Sequence, residues 1–202
     1  MNSDHLGDSL DFAKGAILRL TMPLLNSLVV IPMLTDQPRW TKRHFALYAG
    51  ILGLPVERIL LRRQTFYARQ RQEYFSKVVR RLPAHSDIFL DPDTGFRRQG
   101  GNAGQSVRCS DIVRLLGQDP ERVIVIYCYR RTGVGELEQS LEAAVNGGRY
   151  GFAYAGGPAS MMFLSNNVRR LRGLHSHLSR FLAPMDGTRL TRILPAPSDN
   201  DA

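Results

Sequence analysis

The sequence predicts an α/β domain on a Rossmann-like, mostly parallel sheet flanked by helices, with an antiparallel hairpin towards the C-terminal end. Three observations predict it. Short apolar runs alternate with helix-length amphipathic segments, the pattern in which crossover helices join parallel strands. The runs break off into polar residues with Pro or Gly, as strand ends do. Two late runs are separated only by the turn Ala155-Gly156-Gly157-Pro158, which reads as a hairpin. At 202 residues the chain fits one domain of the usual roughly 100–200 residues, taken as 1–194 with a frayed acidic tail over 195–202.

The elements follow in order. Leu10–Leu25 suits a helix capped by Asp8 or Ser9, with Pro23 late in it. Leu28-Val29-Val30-Ile31 reads as a buried strand that runs out into Thr35-Asp36-Gln37-Pro38. A helix over Trp40–Leu52, a strand over Val56–Leu61 and a long arginine-rich helix over Thr65–Arg81, stopped by Pro83, come next. Ser86–Leu90 is a strand whose carboxyl end is Asp91-Pro92-Asp93-Thr94-Gly95, and 97–105 is a Gly-rich loop. Ser110-Asp111 caps a helix through Leu116, Arg122–Tyr129 is the most strand-like run, and Gly133–Asn146 has helical spacing. Tyr150–Tyr154 and Ser160–Ser165 form the hairpin, followed by a helix over Val168–Leu182.

Composition bounds the function. With 43% hydrophobic and 22% charged residues, the chain is globular rather than disordered or fibrous. Its longest apolar stretch, Ser27–Leu34, is far short of the roughly 18–20 residues that span a bilayer, and Met1–Leu10 lacks a basic start and apolar run, so a cytoplasmic protein without membrane contact is expected. Cys109 and Cys128 have no CxxC spacing and read as buried apolar residues in a reducing compartment. His175 and His177, two apart on a helix, face different ways and make no metal pair. A net charge of +9 with pI near 10.1 favours a polyanionic partner, RNA or DNA. The clustering of Arg58, Arg62, Arg63, Arg69, Arg71, Arg80 and Arg81, interleaved with Phe66, Tyr67, Tyr74 and Phe75, marks the segment, with Arg130 at a further strand end. Arg62, Arg63, Arg69, Arg71 and Arg130 are the candidate nucleic-acid contacts.

In parallel sheets ligands bind beyond the carboxyl ends of strands. Three such ends are polar: Thr35-Asp36, Asp91-Pro92-Asp93 and Tyr127-Cys128-Tyr129-Arg130. Asp91 and Asp93 repel each other unless a cation or a proton separates them. One partner is Mg²⁺, with Asp36 as a third oxygen ligand, which suits phosphodiester hydrolysis. In the plainer structural account, Asp91 caps backbone N–H groups in a turn and Asp93 is exposed. Asp8, Asp11 and Lys14 are spaced one helical turn apart and share a face.

On these residues the chain resembles class I S-adenosylmethionine-dependent methyltransferases, nearest to the ribosomal RNA adenine-N6 type. The matching residues are the Gly7-Asp8, Asp11, Lys14 helix and Asp91-Pro92, which stands where that family has Asp/Asn-Pro-Pro-aromatic. It is also similar to uncharacterised bacterial proteins sharing Ile31-Pro32-Met33-Leu34-Thr35-Asp36 and Phe89-Leu90-Asp91-Pro92-Asp93-Thr94-Gly95. The resemblance implies S-adenosylmethionine near Asp11, Lys14, Thr35 and Asp36. It implies catalysis at Asp91, Pro92 and Asp93, with Asp91 and the Pro92 carbonyl accepting from a base amine. Two departures stand out: Asp93 and Thr94 replace the family's second proline and aromatic, and no glycine follows the first strand. A non-catalytic module binding nucleic acid or protein through Arg58–Arg81 is the further alternative.

Overall fold

The computed structural model describes residues 3–96, 106–129, 134–146, 149–156, 159–184 and 188–194. Arg130, the hairpin turn at 157–158 and the expected tail at 195–202 lie outside these residues. The elements are α1 (Ser9–Thr21), β1 (Val29–Ile31), α2 (Lys42–Leu52), α3 (Arg71–Arg81), β2 (Ile88–Leu90), α4 (Cys109–Leu116), β3 (Val123–Tyr129), α5 (Val134–Val145), β4 (Tyr150–Gly156), β5 (Ala159–Ser165), α6 (Val168–Leu182) and β6 (Thr188–Leu190).

The six strands form one open sheet in the order β1-β2-β3-β5-β4-β6. β1, β2 and β3 are parallel, in register at Ile31, Leu90 and Ile126. From β3 outward every pairing is antiparallel. The sheet is therefore mixed, and a parallel majority is not found. The expected hairpin forms from β4 and β5, but its second strand docks on β3, and β6, which the sequence reading lacked, adds to β4.

Alternation along the strands sorts the core into two layers. Val123, Val125 and Tyr127 of β3 face α1, α2 and α6, packing with Ile17, Leu18, Tyr48, Leu52, Leu171 and Leu178. Ile124, Ile126 and Cys128 face α3, α4 and α5, packing with Tyr74, Val78, Ile112, Leu115 and Leu141. Period-two alternation on buried strands gives both faces apolar side chains, so helices cover both.

Two expected elements differ. Val56–Leu61 is a 3₁₀ turn over Val56–Arg58 followed by a single bridge from Ile59 to Val30. Leu61 then takes φ 53°, a left-handed backbone that ends any pairing. The arginine-rich helix begins at Arg71 rather than Thr65, after a 3₁₀ turn over Ala68–Gln70, because the Phe66 N–H is held by the Leu34 carbonyl at 2.7 Å.

The amino rim of the sheet is anchored by buried Asp87. Its carboxylate accepts from the backbone N–H groups of Asn26 (2.6 Å) and Val123 (2.7 Å) and from both terminal nitrogens of Arg170 at 2.8 and 2.7 Å. His175 and His177 do face different ways, one towards the Thr191 carbonyl and one towards the Leu20 carbonyl. Both cysteines are free; Cys128 is buried as expected, whereas Cys109 is only partly so. No helix among the described residues is long and apolar enough to cross a membrane.

Candidate binding site at the carboxyl rim

β1 and β2 run parallel with Ile31 beside Leu90, so the turns that follow them leave the same rim side by side. The Asp91 N–H donates to the Ile31 carbonyl at 3.0 Å, and the Thr35 hydroxyl donates to Asp93 at 2.8 Å, lashing the turns together. β3 joins the rim at the same level, with Ile126 paired to Leu90 and Tyr127 next along. Gly95 lets the second turn fold back onto β3: it takes φ +80°, and a Cβ there would sit 2.8 Å from the Cα of Cys128.

The first turn of α1 delivers the charges. The Asp8 carboxylate caps the helix, accepting from the N–H groups of Leu10 and Asp11 at 2.9 and 3.0 Å. One turn on, the Asp11 carboxylate accepts from the Gly7 N–H at 2.9 Å and from Lys14 Nζ at 2.8 Å. Lys14, 6% exposed, reaches Asp91, 1% exposed, with Nζ 3.2 Å from Oδ2 and 3.1 Å from Oδ1. The same ammonium stands 4.1 Å above the Tyr127 ring. From α2, the Tyr48 hydroxyl donates to Asp91 Oδ2 at 2.6 Å.

The pKa values of Lys14, Tyr48 and Asp11 are all raised. Burial disfavours the Lys14 ammonium, but Asp91 and Asp11 outweigh it and raise the pKa, so Lys14 stays charged and does not serve as a base. Burial, then the Asp91 charge, pushes the Tyr48 phenol well above its usual range, and Tyr48 stays a donor. The Asp11 carboxyl is raised, burial outweighing the Lys14 charge. What remains is unused hydrogen-bonding capacity. Thr94 Oγ1 and the Tyr127 hydroxyl oxygen are buried and take part in no hydrogen bond, and Asp91 Oδ1 has no hydrogen bond beside its 3.1 Å ion pair to Lys14. Hydroxyls left unsatisfied away from water cost about 1–3 kcal/mol each, and a ligand offering the complementary edge recovers it.

The sequence-predicted residues divide. Asp11, Lys14, Asp91, Pro92, Asp93 and Thr35 come together at this rim. Asp11 and Lys14 turn their charges inward to Asp91, not outward to a cofactor. Asp36 is turned aside: it accepts from the Ser3 N–H (2.9 Å), the Ser3 hydroxyl (2.6 Å) and the Trp40 indole (2.9 Å). Burial opposes its charge, but these donors overcome it and lower its pKa. Asp36, Asp91 and Asp93 thus have separate partners, and no group of three or more His, Cys, Asp or Glu among the described residues is placed to hold a metal ion. The geometry gives the Mg²⁺ alternative no support.

Among the arginines, Arg63 and Arg69 are exposed and Arg62 is half-buried. Arg71 does not join them: it is buried, paired to Asp111, and donates to the Ser106 carbonyl at 2.7 Å. A guanidinium so enclosed has no face for a phosphate. Sequence reasoning missed Tyr48 and left Tyr127 in a polar strand end without a role. Tyr48 shares a helix face with Phe45 and Leu52, which reads as core, and only its hydroxyl tip separates it from them.

The cofactor that the resemblance implies meets a filled turn. Ile31, Pro32, Met33 and Leu34 are all buried where the family has an open glycine turn. Met33 holds φ 43° with its side chain in the core. The carbonyls of Ile31 and Leu34 already accept from Asp91 and Phe66. These residues do not fit S-adenosylmethionine held in that manner. No family model matches the chain, and no curated protein matches it.

Proposed function

We propose that the chain is a nucleic-acid-directed protein on a methyltransferase-like, Rossmann-related fold, whose carboxyl rim receives the amine-bearing edge of a base at Asp91. The observation that carries this reading is Asp91 Oδ1, a buried carboxylate oxygen that has the Lys14 ammonium at 3.1 Å but no hydrogen bond, together with the buried Tyr127 hydroxyl, which has none either. Adenine and cytosine each carry an amine donor next to a ring-nitrogen acceptor. Asp91 Oδ1, just past β2, and the Tyr127 hydroxyl of the neighbouring β3 supply an acceptor and a donor. The basic charge of +9 supports a polyanion as the carrier of that base.

S-adenosylmethionine-dependent methyl transfer to the amine is the enzymatic form of this reading. Calorimetry and thermal shift test it directly, because this form requires micromolar binding of S-adenosylmethionine; no heat and no shift would remove it. The filled turn Ile31–Leu34 favours a second form, a module that keeps the sheet and binds nucleic acid without chemistry. Asp91→Asn separates the two. Base-dependent affinity falls in both, but transfer of a labelled methyl group is lost only if the wild type has it.

A further inference from the structure

We infer that a single-stranded nucleic acid runs along the outer side of β1, one base stacked on Tyr67 and its phosphates held by Arg63 and Arg69, leading the strand to Asp91. This rests on the reading of the rim given above and adds the strand form and its path. The fold sorts the aromatic residues of the arginine-rich segment. Phe66, Tyr74 and Phe75 are buried and pack edge to face, with centroids 5.0, 6.3 and 5.5 Å apart. Tyr67 alone of the four faces out, 47% exposed, with the Arg69 guanidinium 5.8 Å from its ring centroid. The arginines are sorted in the same way: Arg71 is turned inward on Asp111 while Arg63 and Arg69 are exposed.

Position follows from the backbone. Ile59 bridges Val30, the Leu60 N–H donates to the Val30 carbonyl at 2.8 Å, and the Phe66 N–H donates to the Leu34 carbonyl at 2.7 Å. Residues 59–67 therefore flank β1 and finish beside its rim turn, whose Thr35 bonds Asp93. No Asp or Glu occurs from Arg58 through Gln72, so the charges this segment itself contributes are all positive. α3 then carries the chain away from it. Arg80 and Arg81 are exposed at the far end of α3, before Leu82–Asp87 enters the amino end of β2. An exposed ring with an adjacent guanidinium suits an unpaired base, whereas in a duplex neighbouring pairs cover the base faces.

The test is fluorescence anisotropy on the full chain with a labelled mixed-sequence oligonucleotide of about 15 nucleotides, as single-stranded RNA, single-stranded DNA and duplex. Tighter binding of a single strand than of duplex is expected, and the RNA and DNA arms identify the sugar. Two phosphates predict that Arg63→Ala/Arg69→Ala flattens the plot of log K against log salt by about 1.4, at about 0.7 per contact. Tyr67→Ala should weaken binding about tenfold, and Tyr67→Phe should keep it. Arg80→Ala/Arg81→Ala removes the same charge from the other rim and should change neither affinity nor slope. No binding, duplex binding as tight as single strand, equal losses from the two arginine pairs, or wild-type affinity in Tyr67→Ala each overturns the inference. Strand binding that needs Tyr67 without any S-adenosylmethionine heat keeps it and drops methyl transfer. Methyl transfer indifferent to Tyr67, Arg63 and Arg69 does the reverse.

Discussion

Replacing Lys14 by Met keeps the side-chain length and removes the ammonium that stands between Asp11 and Asp91. The distances of 2.8 Å to Asp11 and 3.1 Å to Asp91, with the three side chains 7%, 3% and 1% exposed, make this a buried ion triad. Removing one partner of a buried pair costs about 3–5 kcal/mol, because a carboxylate is left uncompensated. For a chain of this size that lowers the melting temperature by about 6–20 °C. The pH dependence has a definite sign. In the wild type the folded-state pKa of Lys14 lies above its ordinary 10.5, so its contribution is complete below that value and is lost as pH climbs through the raised one. The Asp11 carboxyl is raised above 3.8, so the folded state holds its proton more tightly and Asp11 subtracts stability as pH rises from there. Without Lys14 that subtraction grows, and the loss in Lys14→Met should be larger at pH 8 than at pH 5. Urea denaturation followed by fluorescence of Trp40, the one tryptophan of the chain, reads it. Its indole is bonded to Asp36 at 2.9 Å, beside the rim. A cost below about 1 kcal/mol, the range of exposed pairs, or an equal cost at both pH values, would refute the buried-triad account.

Two further substitutions probe what holds the site in place. Gly15→Ala should gain about 1 kcal/mol of helix propensity, yet a Cβ at that position runs into the backbone carbonyl of Ile51. The clash wins, with a net loss of about 2 kcal/mol, and strand binding weakens too, since α1 carries Lys14 and α2 carries Tyr48; thermal denaturation showing a more stable variant contradicts this. Asp87→Ala strips the acceptor from the Asn26 and Val123 N–H groups and from Arg170, at an expected cost of about 3–5 kcal/mol in urea denaturation. A loss under about 1 kcal/mol would mean that the amino rim is held by other contacts.

The sequence alone determined the α/β class and, apart from the strand expected over Val56–Leu61, the order of helices and strands from α1 to α6, and it marked the strand end before Asp91. Period-two and period-3.6 apolar spacing and the stops at Pro92, Gly95 and Pro83 are local signals, and they act wherever the chain goes. Only the tertiary structure decided the rest. Whether β4 or β5 met β3 depended on which hairpin edge fitted the sheet, and that choice set the antiparallel half and made room for β6. Composition could not divide Arg71 from Arg69, or Tyr67 from Phe66, because burial depends on what each residue packs against. Nor could spacing reveal that Tyr48 and Lys14 converge on Asp91 across 43 and 77 residues of chain. Like charges one residue apart suggested a shared ligand for Asp91 and Asp93, but folding gave each carboxylate its own donors. Partners distant in the chain, brought near by the sheet and by α1 and α2, set the chemistry of the rim.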